Sequence, residues 1–131
     1  MKDITNRDDV MKLITTFYAK VRKDELLGPI FNSIVKDWDS HNERIANFWE
    51  TNLFFIQKYK GNPLEVHREV DARVNNTVSE LHFGRWLLLW IETIDQLFAG
   101  KYADLAKNRA RKMSTFLFLK IFEARGNKEV L

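Results

Sequence analysis

The chain has 131 residues, and this length fits one domain over residues 1–131 with a sizeable core and no need for cross-links. It contains no cysteine, which excludes disulfides, thiolate metal sites and thiol catalysis. Its 21 basic and 18 acidic residues are interspersed and sum to a net charge of +3, so nucleic-acid binding is not expected.

The sequence also shows neither a membrane-span pattern nor a signal-peptide pattern. An apolar run of about 18 residues, the length needed for a membrane span, is not found. The first residues carry acids and no apolar stretch, unlike a signal peptide. We therefore expect a cytoplasmic protein without a membrane partner.

The first predicted helix runs from Asp9 to Lys23. Its apolar residues recur at the i, i+3, i+4, i+7 spacing of an amphipathic helix, and they are Val10, Leu13, Ile14, Phe17, Tyr18 and Val21. Gly28 and Pro29 then break the chain, which predicts a turn or short helix at Ile30 and Phe31.

A second long helix is predicted from about Ser40 to Tyr59. Its inward stripe would be Ile45, Phe48, Trp49, Leu53 and Ile56. Pro63 suits the first position of a helix, so a short helix is predicted over about Leu64 to Val70.

The rest of the chain predicts a loop and two more helices. The polar stretch from Asp71 to Val78 shows no apolar period, and Thr77 with Glu80 has the form of a capping box. Helices are then predicted over Ser79 to Phe98 and Tyr102 to Arg125, with Gly100 and Gly126 ending them. Their inward residues would include Leu81, Trp86, Leu89, Trp90, Thr93, Ile94, Leu97, Leu105, Ala106, Ala110, Met113, Phe116, Leu117 and Ile121.

Motifs that carry chemistry are few. There is no glycine-rich phosphate loop, no HExxH metal signature and no serine in a nucleophile-elbow context. Three histidines remain, and each is more often a surface or capping residue than a ligand. His41 shares the apolar face of Ile45 and Phe48, His67 follows Pro63 on the short helix, and His82 is expected at the edge near a helix start.

Several segments together resemble the group III truncated haemoglobins, in order and over about Ile4 to Phe116. They are Phe17-Tyr18, Val21-Arg22-Lys23-Asp24, Leu27-Gly28-Pro29-Ile30-Phe31-Asn32, Trp38 with His41, Asn47-Phe48-Trp49, Tyr59-Lys60-Gly61-Asn62-Pro63-Leu64 with His67, His82-Phe83, Arg85-Trp86-Leu87, Leu97-Phe98 and Ala106-Lys107-Asn108-Arg109-Ala110. The resemblance implies an all-α fold, a two-over-two helical sandwich around haem b (iron protoporphyrin IX).

The resemblance also implies roles for individual residues. His67 matches the proximal histidine, whose imidazole nitrogen bonds the haem iron. Tyr18 and Trp86 match the distal tyrosine and tryptophan, two hydrogen-bond donors expected to converge on a bound gas. His41 matches the distal histidine of the group, a gate or water site. We place Tyr18, Trp86 and His41 at the reacting side of the cofactor.

Further residues are expected to contact the cofactor. Phe31 matches the aromatic packed on the haem face, Ile45 and Phe48 would line the distal side, and Trp49 lies near the pocket. Arg44 is placed to reach a propionate at the mouth, and Phe83 belongs to the same set. The segment from His67 to Trp86 is longer than in the shorter relatives. The glycine pairs that create tunnels in other groups are missing, so a ligand route past His41 is expected.

The resemblance leaves the activity open. One hypothesis is a monomer that binds O2, NO or CO; another is an enzyme, an NO dioxygenase or a peroxidase-like protein, supplied by an external electron-donor reductase. A strongly polarised ligand favours redox chemistry of O2 and NO over O2 delivery. Gas sensing, and a haem-free helical interaction module in which the aromatic residues are core only, are the alternatives.

Overall fold

The computed structural model describes the backbone of residues 1–56, 59, 61–73 and 78–130, and their side chains apart from those of 70, 72–73 and 122–130. Six helices make up the described chain, and no strand occurs in it. They are α1 (Arg7–Lys23), α2 (Gly28–Ile34), α3 (Trp38–Phe54), α4 (Pro63–Arg73), α5 (Glu80–Leu97) and α6 (Lys101–Val130). The all-α prediction is confirmed.

The helices pack as two layers. α1 lies against α3, α5 lies against α6, and α1 also contacts α5, as the predicted two-over-two sandwich requires. The fully buried side chains come mainly from α1 and α5, because these helices face both layers: Val10, Leu13, Ile14, Phe17, Val21, Trp90, Thr93 and Ile94. Trp49 of α3 stacks on Trp90 of α5, with ring centroids 4.7 Å apart.

The N-terminal segment ties α1 to the start of α6. The carboxylate of Asp3 accepts from the backbone N–H groups of Tyr102 and Ala103, each at 2.9 Å, and so caps α6. Gly100 precedes that helix with φ +141°, and a Cβ there would meet Asp3 Cγ at 2.6 Å. The close approach of the two segments therefore depends on a glycine at position 100.

The C-terminus of α3 differs from the sequence-based prediction. Asp37 caps the helix by accepting from Ser40 N at 3.2 Å, but α3 ends at Phe54 instead of reaching Tyr59. Phe55 adopts the left-handed conformation, φ 58°, which a helix does not continue through. Ile56 was predicted inward and is 41% exposed, because it lies beyond the helix.

α4 and α5 also differ from prediction at their facing ends. α4 continues to Arg73, so residues 71–73 are helical where the sequence predicts a loop, and Asp71 is buried. Thr77 lies outside the described residues, and Ser79 is the residue at the N-cap of α5. Leu81 was predicted inward but is 67% exposed.

α6 runs through Gly126 to Val130, so the prediction that this glycine ends the helix is wrong. One glycine costs only about 1 kcal/mol in a helix interior, which a long helix tolerates. Phe116 was predicted inside and is half exposed. In the described part of the chain, no helix has the length and apolar character needed to cross a membrane.

Candidate functional site

A cavity of about 620 Å³ lies between the two layers, and all six helices contribute to its wall. Every residue that the sequence predicted for the site lies on this wall: Tyr18, Phe31, His41, Arg44, Ile45, Phe48, Trp49, His67, Phe83 and Trp86. The lining is mainly aromatic and aliphatic, with a small number of polar groups. A concave, apolar space with few convergent polar groups is typical of a small-molecule or cofactor site.

His67 is held by the first turn of its own helix. Its Nδ1 lies 2.6 Å from the backbone oxygen of Pro63, four residues earlier, and the carbonyl can only accept, so Nδ1 carries the proton. Nε2 then keeps its lone pair and has no hydrogen-bond partner among the described residues. Burial lowers the pKa of His67, which favours the neutral ring that a metal requires.

Tyr18 and Trp86 meet at another part of the wall. The indole of Trp86 lies beside the phenol of Tyr18 and opposes the rise that burial causes in the pKa of Tyr18. The pKa stays raised, so the hydroxyl keeps its proton as a donor, and an indole N–H can only donate. The resemblance implies two donors on the ligand side, and the structure brings both side chains to one cavity wall.

Packing fixes this pair of donors. The ring of Phe17 lies edge-on to both, at 4.8 Å from Tyr18 and 5.6 Å from Trp86. Trp86 also stacks on Trp90, with centroids 5.9 Å apart, and Trp90 donates to the Ala106 carbonyl at 3.3 Å. The donor pair is therefore preorganised by aromatic contacts that do not involve any ligand.

His41 lies beside Tyr18, with ring centroids 4.8 Å apart, and also touches Trp38 at 5.2 Å. Its Nδ1 is 3.1 Å from the side-chain oxygen of Asn42. Burial lowers its pKa, and the charge of Arg44 adds to the effect. A neutral imidazole held by one exchangeable side-chain contact suits a movable group better than a fixed ligand.

The sequence analysis missed that His82 lines the cavity. Its Nδ1 accepts from the backbone N–H of Ser79 at 3.0 Å, which matches the expected role near a helix start. A neutral His82 consequently carries its proton on Nε2 and offers no lone pair there. The Ser79-x-x-His82 spacing at the start of α5 is the signal that marks this role.

Other residues that line the cavity were not predicted from the sequence, and some of them lie on α6. Lys36 and Tyr59 line the cavity, and the charge of Arg44 partly offsets the rise that burial causes in the pKa of Tyr59. Met113 and Ser114 reach the wall from α6. The stripe of α6 predicted that Met113 faces inward, but not that a cavity lies beside it.

Two stacked layers of helices around such a cavity define the truncated globin class, and comparisons with known proteins place the chain within it. No protein-family model matches the chain. It is 31% identical over 114 residues to the group 3 truncated hemoglobin ctb of Campylobacter jejuni, covering 84% of this chain and 86% of that protein. The crystal structure of a group III truncated hemoglobin from the same species matches with a TM-score of 0.81 and 30% identity, over 92% of this chain and 95% of that one.

The chain belongs to the group III truncated haemoglobins, and membership of this family makes it a haem-binding globin. The resemblance seen in the sequence is thereby confirmed, and so is the fold that it implied.

Proposed function

We propose that this chain binds haem b through Nε2 of His67 and admits O2, NO or CO on the side of Tyr18 and Trp86. Its task would be redox chemistry of O2 and NO, supplied by an external electron donor, rather than O2 delivery. The observation that carries the proposal is the Nδ1–Pro63 contact, which orients one cavity-wall imidazole and leaves its other nitrogen unpartnered.

The residues present fit the cofactor. The cavity volume, about 620 Å³, lies within the range of ligand sites, and its apolar wall suits a flat macrocycle. Lys36 and Arg44 supply cations at the mouth for the carboxylates of the macrocycle. When bound, the haem would supply a redox-active iron with one position open to a gas.

His67 is a better axial ligand than the two other histidines. The ring of His82 has its proton on Nε2, because Ser79 N–H occupies Nδ1. The ring of His41 rests on the Asn42 side chain and lies against Tyr18, on the ligand side. Only the ring of His67 is fixed by a backbone carbonyl.

Tyr18 would donate its O–H to the gas ligand. Trp86 would add its indole N–H, which can only donate, on the same side. Strong donors retain and polarise O2, which hinders delivery and favours its reaction with NO. Two donors beside the gas site therefore support NO dioxygenation over simple O2 transport.

The test is to add haem b to the purified protein, reduce it and record the absorption spectrum, then measure O2 release and NO consumption. The expected result is a Soret band, slow O2 release and catalytic loss of NO with a reductant present. Fast O2 release without NO turnover would contradict the redox role. The lack of any Soret band after haem supply would leave only the haem-free interaction module.

A further inference from the structure

A second concave surface lies behind the cofactor cavity. It is a groove of about 550 Å³ between α3, the start of α4 and α6, and we call it the α6 groove. Its apolar wall includes Leu64 and Phe116, and Arg109 and Lys112 lie at its rim. Among the residues that the structure describes, none that lines the groove is acidic.

The two rim cations differ from Lys107 and Arg111, which also lie on α6. Lys107 is paired with Asp95 at 2.7 Å, and Arg111 donates to Asn108 at 2.8 Å. Arg109 and Lys112 have neither an acidic partner nor a side-chain hydrogen bond within the described part of the chain, and both are exposed. They stand one helical turn apart, so they present two positive charges to one spot.

We propose that the α6 groove binds an amphipathic carboxylate, such as a straight-chain fatty acid. The carboxylate would lie between Arg109 and Lys112, and the alkyl chain would cover Leu64 and the half-exposed ring of Phe116. Apolar contact and two unpaired cations are the complement of a molecule with one anionic head and one apolar tail.

The α6 groove shares wall residues with the cavity that contains the proposed iron ligand. Pro63 lines both the groove and the cofactor cavity, and its carbonyl oxygen holds Nδ1 of His67 at 2.6 Å. Met113 and Phe48 are also shared walls. A molecule in the groove would press on Pro63 and so alter the ring that faces the iron. This coupling rests on the proposed haem function, whereas binding in the groove does not.

The experiment titrates haem-loaded protein with octanoate in a calorimeter, with octanol as the neutral probe of equal chain length. We expect one octanoate site, and octanol binding about fivefold to tenfold weaker, as two exposed charge pairs would give. The octanoate affinity of the double variant Arg109→Gln/Lys112→Gln should fall by the same factor. The matched control, Lys12→Gln/Arg111→Gln, removes the same charge from other exposed positions and should bind like the parent.

A steric variant and a spectrum complete the test. Leu64→Trp should fill the groove and abolish octanoate binding while both cations remain. Octanoate should shift the Soret band of the parent and leave that of Leu64→Trp unchanged. Equal affinity of the parent and Arg109→Gln/Lys112→Gln for octanoate, or equal affinity for octanol and octanoate, would overturn the proposal.

Failure of the haem proposal would look different. Absence of a Soret band after haem addition would contradict the proposed function. The same octanoate titrations on the haem-free protein would then test binding in the α6 groove, through the loss of affinity expected in Arg109→Gln/Lys112→Gln. Unchanged Soret absorption at saturating octanoate would overturn the coupling through Pro63 alone.

Discussion

Two ends of the molecule satisfy their polar groups in opposite ways. At the packed end, formed by the N-terminal segment, the start of α1 and the start of α6, other protein groups supply hydrogen bonds to the carboxylates of Asp3 and Asp9. Asp9 accepts from Lys2 and twice from Thr5, at 2.7 to 2.9 Å, and Asp3 accepts from three backbone N–H groups. This end needs no ligand.

At the cavity end, two side chains keep a capacity for metal binding or hydrogen bonding that no described protein group uses. Nε2 of His67 has no partner among the described residues, and the Tyr18 hydroxyl, which keeps its proton, lines the cavity. The difference suggests that residues of the packed end determine stability, whereas those of the cavity end determine ligand binding. Variants at the two ends should therefore separate the two properties.

The largest effect is expected from His67→Ala. Without His67 the cavity loses the only imidazole among the described residues that a backbone carbonyl anchors, so haem affinity should fall by about 100-fold or more, which exceeds the loss on removing a hydrogen-bond partner of a metal ligand. Haem loss to an acceptor protein measures this, and added imidazole should restore the axial bond. His82→Ala is the control, and loss of haem from it with retention in His67→Ala would identify His82 as the ligand.

Tyr18→Phe should act on the gas and not on the cofactor. A hydrogen bond to a charged group is worth about 1.5–3 kcal/mol, so O2 dissociation should become roughly 10- to 100-fold faster while haem remains bound. Stopped-flow displacement of O2 by CO gives the rate. Tyr59→Phe removes another cavity hydroxyl and should leave the O2 dissociation rate unchanged. Equal O2 dissociation rates in the parent and in Tyr18→Phe would refute the role assigned to Tyr18.

Asp3→Ala should show the reverse pattern at the packed end. Loss of the cap on α6 should lower the free energy of unfolding by about 1–2 kcal/mol, measured by urea denaturation, with O2 dissociation unchanged. Asp8→Ala, at an exposed position of α1, is the control. A large change in O2 kinetics in Asp3→Ala would show that the two ends are not independent.

The same contrast explains what the sequence could predict. Side-chain periodicity depends on local spacing, so the helices and the inward faces of α1 and α5 were predictable. The left-handed Phe55 and the continuation of α6 through Gly126 were not, because phenylalanine does not mark a left-handed position and one glycine costs too little to stop a long helix.

The cavity was predictable only in part. Its ten expected residues came from a family resemblance that fixes which positions face the cofactor. The approach of Trp86 to Tyr18 depends on the relative rotation of α5 and α1, which no spacing in either helix encodes. The α6 groove likewise arises where three helices meet, so no single stripe marks it.

The packed end and the cavity end should contribute to the pH dependence of stability in two different pH ranges. Burial lowers the pKa of His41, His67 and His82, so their neutral forms favour the folded haem-free chain above the unfolded pKa of about 6.5, and this contribution is lost as pH falls below it. Asp9, with its pKa lowered from 3.8 to about 2, contributes above 3.8 and loses that contribution as pH falls towards 2.

Urea denaturation of the haem-free protein at closely spaced pH values would resolve these windows. The double variant His41→Gln/His82→Gln should flatten the decline between about pH 7 and 5 and leave the decline below pH 4 in place. Asp9→Asn should do the opposite, because it removes a carboxylate of the packed end and no histidine. If either variant flattened both windows, the two ends would titrate as one unit, and the separation between stability and ligand binding would fail.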